Sequence, residues 1–574
     1  MSPPRPDRRL QAIVVVPAHD EQDRIGLCLR ALAEQRGVDA ASFEVVVVLD
    51  RCSDDTRAVV SQRATATPRP RLILLDSPRP GSGHARRAGM DFACARLLGA
   101  GRPHGLIAST DADTRVAPDW LATQLALARD GAGAIGGRID LDPREASRLP
   151  PAVLHGRKVH ARARHARIRA FDQGATAMDG RDHHQFSGAS LAVTAQIYRD
   201  LGGLPVVDAL EDEAFERLLE DRRIPIVRSD RVSVTTSART NGRAARGLAR
   251  DLALADWRAR RSFRASEFDP DDLLARKTAS ISVILPAREV GDTIAPIVGS
   301  LVALRETGLI DELIVIDAAS RDGTAAIAAA QGADVLQEDE LLSEHGPSRG
   351  KGDAMWRALS VVRGEIAVFL DADTRDFTPT FVIGLLGPLL SNPEIRFVKG
   401  AFRRPLALAT GVLPGEGGRV TELVARPLLN LYAPHLAGFD QPLAGEVAAY
   451  SSLLRSVRFP AGYGVEIANL IDIARLAGMD GLAQVDLGER QNRHQPLRDL
   501  SAMAYAVMVA AASRLGDSGL HAPPAPGPLA LPPRPGDTAP ETRQVVVLER
   551  PPLASLTSDS PDQSDRDTRA GATL

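Results

Sequence analysis

The sequence predicts an α/β fold built from two tandem domains of the same architecture, each with a mostly parallel sheet. Two observations support this prediction. Runs of Val, Ile and Leu alternate with polar turns and helix-length segments along most of the chain, a pattern typical of strands that helices cover on both faces. The first half of the sequence also aligns with the second half.

Four blocks carry this internal repeat, in the same order in both copies. AIVVVPAHDE, FEVVVVLDRCSDDT, GSGHARRAGM and LIASTDADT in the first copy match ISVILPAREV, DELIVIDAASRDGT, SRGKGDAMW and IAVFLDADT in the second. The matches place Pro17 opposite Pro286, Asp50 opposite Asp317, His84 opposite Lys351 and Asp111 opposite Asp371. Because separate blocks keep nearly one register, the repeat indicates a domain duplication.

Composition shifts divide the chain. We predict a first domain over residues 10–266, a linker over 267–279, where FDPDD interrupts a helical pattern, and a second domain over 280–516. Residues 517–574 are rich in Pro, Ser, Thr and Asp, which predicts a largely disordered C-terminal tail. Docking of VVVLER (Val545 to Arg550) as a strand is the alternative within that tail.

Charge, cysteine content and hydropathy exclude several classes of protein. The formal net charge of −3 gives no global basic field for nucleic acid or an anionic membrane. Three cysteines without metal-ligand spacing argue against a disulfide framework. No apolar run reaches the roughly 18 residues that span a bilayer, and the first residues do not form a signal peptide. We therefore expect a soluble cytoplasmic protein.

Paired carboxylates follow a predicted strand in each copy. Asp371 and Asp373 come after IAVFL, and Asp111 and Asp113 occupy the same place in the first copy. Two carboxylates one residue apart can hold a hard cation, which can neutralise the charge that develops on a diphosphate leaving group. A solvated acidic turn explains most isolated triplets of this kind. The position of the triplet in a repeated strand pattern favours the metal site.

Further polar residues follow the first two strands of each copy, at the sheet edge where ligands bind. Asp50 and Asp317 end the second strand and could accept the base N–H of a uridine, whereas Ser53 and Ser320 could cap the next helix. After the first strand, the donor-binding candidates are Pro17, Asp20 and Glu21 in the first copy and Pro286 and Glu289 in the second.

Two glycine-containing motifs of the second copy suggest anion binding. RGKGDAMWRAL places Lys351 between glycines before a predicted helix, where the backbone can approach a phosphate; a surface turn is the alternative. GEGGRVTELVARPLLNL starts a helix with Gly417, Gly418, Arg419 and Thr421. Such a start can bind a small phosphorylated acid, with a simple helix cap as the alternative.

An acidic motif of the first copy suggests acid–base chemistry. LEDEAF brings Glu211 and Asp212 to a predicted helix start, where a carboxylate could deprotonate an acceptor hydroxyl. Acidic residues also stabilise helix N-termini through the helix dipole, and the sequence does not choose between these interpretations. The segment 155–169, with repeated His and Arg, is predicted to be a solvated basic helix face.

These residues lie in motifs that resemble two groups of glycosyltransferases. The second copy resembles the glucosyl-3-phosphoglycerate synthase family in IDAASRDGT, GKGDAMWRAL, VFLDADT, FVKGAFRRPL, GGRVTELVARPLLNL, QPLAGE, FPAGYGVEI, AQVDLG and HQPLRDL. The first copy is similar to the family-two glycosyltransferases in PAHDE, Asp50, the DAD triplet and the Glu211–Asp212 pair. The resemblances imply two tandem GT-A domains, the Rossmann-like fold of nucleotide-diphospho-sugar transferases.

The resemblance of the second copy implies an activity and a set of roles. It implies transfer of glucose from UDP-glucose, or another nucleoside-diphosphate glucose, to 3-phosphoglycerate, with Mg²⁺ or Mn²⁺ and usually in a homodimer. By position it implies that Asp373 ligates the metal, Lys351 contacts the donor, Glu466 contacts the transferred glucose, and Gly418, Arg419 and Thr421 hold the phosphoglycerate. It also implies a metal contact at Asn492, whose amide oxygen suits Mg²⁺, and an acceptor contact at His494.

Two alternatives stay open at this point, and the sequence argues against a third. The first copy could be the only active one, using another acceptor, or the chain could bind sugar nucleotides without transferring the sugar. A nucleotidyltransferase shares the sheet and the metal carboxylates, but it requires a Gly-rich loop with a basic residue after the first strand. AHDEQD and AREVGD both lack that loop.

Overall fold

The computed structural model describes residues 5–66, 69–171, 182–207, 210–242, 246–404, 406–408, 411–413, 418–490, 496–521, 527–531 and 541–556. Two compact units divide the chain, Met1–Ala259 and Arg260–Leu574. Within the described residues, every helix is too short or too polar to cross a membrane.

The first unit is an eight-stranded sheet with helices on both faces. Its strands are β1 (Ala12–Ala18), β2 (Phe43–Leu49), β3 (Arg71–Asp76), β4 (Leu106–Ser109), β5 (Thr114–Val116), β6 (Ala134–Leu141), β7 (Leu191–Thr194) and β8 (Ile226–Thr236). Its helices are α1 (Ile25–Ala33), α2 (Thr56–Ala66), α3 (Ser82–Gly99), α4 (Trp120–Arg129), α5 (Pro143–Ala146), α6 (Pro151–Phe171), α7 (Ala195–Asp200), α8 (Glu211–Asp221) and α9 (Leu248–Arg261), in whose last turn the boundary falls.

The second unit contains a second eight-stranded sheet and three short hairpin or strand pairs. Its strands are β9 (Ser262–Arg264), β10 (Ile281–Ala287), β11 (Glu312–Asp317), β12 (Asp334–Gln337), β13 (Ile366–Phe369), β14 (Phe397–Arg403), β15 (Leu406–Leu408), β16 (Gly411–Leu413), β17 (Val447–Tyr450), β18 (Phe459–Pro460), β19 (Leu482–Glu489), β20 (Leu529–Leu531), β21 (Glu541–Arg543) and β22 (Glu549–Arg550). Its helices are α10 (Pro270–Arg276), α11 (Ile294–Glu306), α12 (Thr324–Ala330), α13 (Lys351–Ala358), α14 (Thr380–Ser391), α15 (Arg426–Tyr432), α16 (Ser451–Arg455), α17 (Val465–Ala477), α18 (Leu497–Ala512) and α19 (Leu553–Leu556).

The two sheets share one topology over seven strands, and their eighth strands differ, because β5 is antiparallel to β8 whereas β9 is parallel to β19. Their orders are β3-β2-β1-β4-β7-β6-β8-β5 and β12-β11-β10-β13-β17-β14-β19-β9. In each sheet the first four strands run parallel, and β7 or β17 is antiparallel to both of its neighbours. The predicted tandem α/β fold with mostly parallel sheets is therefore confirmed.

Alternating side chains of β1 show why its apolar run is continuous. Val14 and Val16 pack into a core on one face of the sheet, and Ile13 and Val15 pack into a core on the other. All four are fully buried. A strand covered on both faces has no position that favours a polar side chain. The polar residues consequently collect at the strand ends.

The structure corrects the predicted linker over 267–279. Strand β9 already belongs to the second sheet, where it runs parallel to β19. Helix α10 follows, capped by the Asp269 carboxylate, and its Leu273 is buried in the core of the second unit. The FDPDD sequence is thus a helix start, because Asp at the N-cap and Pro in the first turn are favoured there.

The structure also corrects part of the predicted disordered tail. Strand β22 pairs antiparallel with β18, and Arg550 and Leu553 are buried. The alternative that VVVLER docks as a strand is confirmed for its last two residues, Glu549 and Arg550. Residues 532–540 and 557–574 lie outside the described residues.

Candidate active site

The carboxyl edge of the second sheet gathers the predicted carboxylates of that unit. Asp317 is the last residue of β11, and Asp371 and Asp373 follow β13 directly. One oxygen of the buried Asp317 accepts hydrogen bonds from the Ser320 N–H (3.1 Å) and the Gln337 amide (3.2 Å). Its other oxygen, Oδ1, has no hydrogen-bond partner among the described residues. A buried acceptor of this kind fits a ligand N–H.

Lys351 joins the Asp371–Asp373 triplet to a helix start. It begins α13, and its Nζ lies 2.5 Å from Asp371 Oδ1 and 3.1 Å from Glu466 Oε1. Glu466 is in the first turn of α17. Burial disfavours the Lys351 ammonium, but the two carboxylates outweigh it and raise the pKa of Lys351 above its usual value. The lysine is therefore a fixed positive charge facing the triplet.

Arg490 provides a second, fully buried cation. Its Nη2 donates to Asp371 Oδ2 (2.9 Å) and Asp373 Oδ1 (3.2 Å), and its Nη1 donates to Glu446. The side chains of Arg490 and Glu446 are 0% and 1% exposed. Burial opposes ionisation of Asp371, yet Lys351 and Arg490 hold its pKa well below the usual range.

These contacts separate the roles of the two triplet aspartates. Both oxygens of Asp371 are bound to cations, one to Lys351 and one to Arg490, and its side chain is 19% exposed. The Asp373 side chain is 53% exposed. A hard cation with oxygen ligands fits Asp373 best, while Asp371 orients the two cationic side chains.

Lys399 lies beneath this cluster on β14. It is 1% exposed, and its Nζ donates to the Ala444 carbonyl at 2.8 Å. Burial lowers the pKa of Lys399 to about 8, against the opposing effect of Glu466. The next residues after Ala444 are Gly445 and Glu446, so this hydrogen bond fixes the loop that carries the Arg490 partner.

The predicted acceptor motif begins a helix, as expected. Gly418 has a φ of +78°, and the buried Thr421 opens a π-helical turn, Thr421–Ala425, that runs into α15. Arg419 is partly buried between them. Gly417, Asn492 and His494 lie outside the described residues, so their predicted roles remain predictions.

Arg404 is a basic residue near this motif that the sequence interpretation missed. Its guanidinium lies 4.8 Å from the ring centroid of Phe402, and the Arg490 guanidinium lies 5.2 Å from the same ring. The Arg404 Cδ is also the nearest atom to a side chain built on Gly418, at 3.6 Å. Burial and the neighbouring Arg490 lower the pKa of Arg404.

In the first unit, an arginine takes the place that Lys351 has in the second unit. Arg86 on α3 donates to Asp111 Oδ1 (2.7 Å) and to Glu211 Oε1 (3.0 Å), the first residue of α8. Arg86 also donates to the Gly188 carbonyl at 3.0 Å and to the Ser109 hydroxyl. The sequence repeat places His84 opposite Lys351, but the contacts show that Arg86 is the counterpart.

A second arginine of the first unit matches Arg490. Arg239 follows β8, and its Nη2 lies 2.6 Å from Glu21 and 3.0 Å from Asp113 Oδ2. Burial and the nearby Asp111 raise the pKa of Asp113 to about 6. Asp212 accepts a hydrogen bond from the Gly188 N–H at 3.0 Å. Five predicted carboxylates of the first unit, Glu21, Asp111, Asp113, Glu211 and Asp212, thus lie around Arg86, Arg239 and Gly188.

The predicted donor-binding residues at the end of the first strand lie at the carboxyl edge of the sheet in both units. Pro17 and Pro286 are the penultimate residues of β1 and β10. Asp20 and Glu289 both adopt positive φ, 50° and 53°, and each carboxylate accepts a backbone N–H from the loop after the next strand.

Asp50 repeats the environment of Asp317. Its Oδ2 accepts the Gly81 N–H at 2.8 Å, and its Oδ1 is buried without a hydrogen-bond partner among the described residues. Asp20 and Asp54 group with Cys52 closely enough to hold a metal. However, these carboxylates accept loop hydrogen bonds, Asp20 from Ser53 and Asp54 from Thr56.

The arginines that complete both clusters were the residues the sequence interpretation missed. Arg239 and Arg490 each follow the last long strand of their unit, and Arg86 lies two residues beyond His84. A strand-end arginine repeated in both copies is a signal that the sequence does carry.

The chain is similar in sequence to known proteins. The family model "Glycosyl transferase family 2" matches residues 13–184 and 282–395. A glucosyl-3-phosphoglycerate synthase from Mycolicibacterium paratuberculosis is 44% identical over 294 residues, which are 50% of this chain and 89% of that protein.

Solved structures are also similar to about half of the chain. The crystal structure of mannosyl-3-phosphoglycerate synthase from Rubrobacter xylanophilus is 46% identical, with a TM-score of 0.48, over 53% of this chain and 99% of that one. The structure of glucosyl-3-phosphoglycerate synthase from Mycobacterium tuberculosis in complex with Mn²⁺, UDP and phosphoglyceric acid is 40% identical, with a TM-score of 0.46, over 50% and 95%.

The repeated sheet, the clustered carboxylates and the family-model match define a glycosyltransferase with GT-A-like α/β units. By its match to the relative from Mycolicibacterium paratuberculosis, the chain belongs to the glucosyl-3-phosphoglycerate synthase family. Both resemblances predicted from the motifs are thereby confirmed.

Proposed function

We propose that the second unit transfers glucose from UDP-glucose to 3-phosphoglycerate, giving glucosyl-3-phosphoglycerate. The observation that supports this most directly is the cluster of Lys351, Asp371, Glu466 and Arg490 beside the exposed Asp373. It places two fixed positive charges next to a carboxylate that can take a divalent cation, which suits a departing diphosphate. The 44% identical relative carries the same activity in its name.

The residues of the cluster divide the chemistry among them. Mg²⁺ or Mn²⁺ on Asp373 would supply Lewis-acid stabilisation of the diphosphate, and Lys351 adds a second charge there. Asp317 Oδ1 accepts the N–H of the uracil ring. Gly418, Arg419 and Thr421 hold the carboxylate and phosphate of the acceptor.

Three carboxylates of the cluster are held by cationic side chains, and the proposal uses none of them as a nucleophile. Asp371, Glu446 and Glu466 are all bound to cationic side chains. We therefore infer that the bond from glucose C1 to the diphosphate oxygen breaks as the acceptor hydroxyl oxygen bonds to C1. The hydroxyl proton passes to an oxygen of the diphosphate or of the acceptor phosphate.

Turnover by the purified full chain tests this proposal. With UDP-glucose, Mg²⁺ and 3-phosphoglycerate, the protein should release UDP and form the glucosyl product, and GDP-mannose and ADP-glucose should be poorer donors. Asp373→Ala should abolish turnover, whereas Asp113→Ala should leave it intact. Turnover that survives Asp373→Ala and disappears in Asp113→Ala would assign the reaction to the first unit. Donor binding without UDP release would favour a sensor.

A second transferase activity in the first unit is favoured by one observation. The ion pairs of Arg86 with Asp111 and Glu211 repeat those of Lys351, so this unit also presents a fixed cation beside its triplet. We infer that it binds a sugar nucleotide, with Asp212 as the candidate base for another acceptor. UDP should still bind to Asp373→Ala protein in the presence of Mn²⁺. Loss of all UDP binding in that variant would exclude this second site.

We also infer a homodimer formed through the second unit. Leu423, Leu431, Leu497 and Met508 are large apolar side chains that are more than half exposed, and the helical segments that carry them are the turn before α15, α15 itself and α18. Helix α18 packs against the turn that carries Leu423, and exposed apolar side chains on neighbouring elements are typical of an interface. Light scattering of the full chain should give twice the monomer mass, and Leu431→Asp should reduce it.

A further inference from the structure

Asp353 is a buried carboxylate that the transfer reaction does not use. It lies in the first turn of α13, two residues after Lys351, and is 0% exposed. It accepts hydrogen bonds from the Arg349 N–H at 3.0 Å and from Arg357 Nε at 3.3 Å. Burying a carboxylate is costly unless cations and donors surround it. The groups that hold Asp353 therefore determine where this helix begins.

The strongest of these contacts comes from the C-terminal segment, residues 541–556. Arg550 grips Asp353 with two bonds, Nε to Oδ1 at 2.9 Å and Nη2 to Oδ2 at 2.8 Å. A guanidinium and a carboxylate joined by two parallel bonds have a fixed relative orientation. Arg550 also donates to the His345 carbonyl at 2.7 Å, in the loop that leads to Lys351.

The ring of Trp356 extends this attachment along α13. The Arg550 guanidinium lies 5.4 Å from the ring centroid of Trp356, and the Trp356 Nε1 donates to the Pro551 carbonyl at 2.8 Å. Two consecutive residues of the C-terminal segment thus bind two successive turns of the helix that Lys351 begins.

The same segment also binds the strand β18, which precedes Glu466 in the chain. Strand β22 pairs with β18, and the Ala461 N–H donates to the Leu548 carbonyl at 2.8 Å. The Ala461 carbonyl in turn accepts the Asp353 N–H at 3.0 Å. Five residues after Ala461 comes Glu466, which binds Lys351. The segment therefore links the strand before Glu466 to the helix start that carries Lys351.

The first unit explains why the second needs such a link. Arg86 is oriented by its own guanidinium, whose three nitrogens donate to four groups. The ammonium of Lys351 is a single charge on a flexible chain, and its ion pairs are with two carboxylates. Its direction must therefore be fixed through its backbone, at the glycine-flanked start of α13.

We propose that Arg550 is a positioning residue for the transfer reaction: through Asp353 it holds the start of α13 so that Lys351 stays between Asp371 and Glu466. This inference rests on the proposed function of the second unit. It assigns to the C-terminal segment a role in donor binding that its composition does not suggest.

The test compares matched variants of the full chain. Arg550→Met removes both hydrogen bonds to Asp353. Arg550→Lys keeps the positive charge but cannot form the two parallel hydrogen bonds. Arg543→Met is the control, because Arg543 lies in the same segment but binds Asp499 on α18 and Glu541. Thermal unfolding establishes that each variant is folded before its kinetics are measured.

Steady-state kinetics with UDP-glucose, Mg²⁺ and 3-phosphoglycerate give the first readout. A misplaced charge at the donor phosphates should lower kcat/KM by about tenfold to a hundredfold in Arg550→Met. The change should appear in kcat and in the KM for UDP-glucose, with the KM for 3-phosphoglycerate unchanged. Arg550→Lys should be intermediate, and Arg543→Met should equal the wild type. Equal kinetics in all four proteins would overturn the proposal.

Hydrogen exchange gives a second readout that needs no substrate. Backbone amides of residues 346–356 should exchange faster in Arg550→Met than in the wild type and in Arg543→Met. If Arg550→Met is too unstable to be measured, Arg550→Lys replaces it and should also exchange faster than the wild type. A wild type that does not turn over would refute the proposed function alone. Unchanged exchange over 346–356 would refute the positioning role alone.

Discussion

Arg86 and Lys351 make the same two ion pairs in their respective units. The nitrogen–oxygen distances are 2.7 and 3.0 Å from Arg86 to Asp111 and Glu211. They are 2.5 and 3.1 Å from Lys351 to Asp371 and Glu466. Each unit therefore fixes one cation between the first aspartate of its triplet and the glutamate at the start of a helix, although the cation itself differs.

Gly445 is required beside the second of these pairs. A Cβ at this position would overlap both the Lys351 Nζ and the Asp371 carboxylate. We expect Gly445→Ala to separate the pair and to lower kcat/KM for glucosyl transfer by about a hundredfold, measured as UDP release. Gly188→Ala is the control, because its Cβ would overlap Arg86 in the first unit. An equal loss in both variants would contradict the assignment of this activity to the second unit.

Arg490 should be important for stability as well as for the site. Arg490→Met leaves the buried Glu446 carboxylate without its cation, which typically costs about 3 kcal/mol in the free energy of unfolding. Chemical denaturation of the second unit measures this loss. The control is Arg403→Met, since the Arg403–Glu489 pair is exposed and should contribute less than about 1 kcal/mol. Similar destabilisation by the two changes would show that the buried network does not behave as described.

Removal of divalent cations should weaken donor binding. EDTA should lower the affinity of the full chain for UDP-glucose in calorimetry, and Mg²⁺ should restore it. Asp373→Asn should lose the restoring effect at the second-unit site, because an amide is a weaker ligand for a hard cation. Asp480→Asn, a change at an exposed 3₁₀ turn, should behave as the wild type. Full restoration in Asp373→Asn would rule out this carboxylate as a metal ligand.

His184 should make the first unit sensitive to acid. Burial, followed by Arg164 and the nearby histidines, lowers the pKa of His184 from 6.5 to about 4. The unfolded chain therefore binds a proton between these pH values that the folded unit does not, and stability falls as the pH decreases from 6.5 to 4. Because the ring is partly exposed, the loss should be about 1 kcal/mol.

The measurement for His184 is the denaturant midpoint of hydrogen exchange in first-unit peptides at several pH values. His184→Gln should flatten the midpoint between pH 6.5 and 4. His104→Gln, at an exposed loop position, should keep the wild-type slope. A wild-type slope in His184→Gln would show that other groups cause the acid sensitivity.

The sheet and its carboxylates could be predicted because they depend on local pattern. Apolar runs such as that of β1 require two-sided burial, and Asp317, Asp371 and Asp373 follow the strands directly. The arginines could not be assigned in the same way, since Arg490 reaches Asp371 only after the fold joins distant elements. His84 was aligned with Lys351 for a similar reason: sequence register does not show which side chain of a helix faces the site.

Composition was also a poor guide at both ends of the second unit. FDPDD contains a capped helix start, and its acidic and proline residues are favoured in that position. The Pro-rich tail contains Arg550, whose partner Asp353 lies almost two hundred residues earlier. This long-range pairing has no local signature.

The pairing of β22 with β18 has a consequence for how the protein is made. A ribosome synthesises β18 and Lys351 well before it reaches Arg550, so the candidate site of the nascent chain is incomplete until residues 541–556 emerge. The transferase should therefore gain activity only after Arg550 has been synthesised and has bound Asp353. The composition of residues 517–574 suggests that the chain can be shortened at residue 516. Such a variant should fold its sheet but have low catalytic activity.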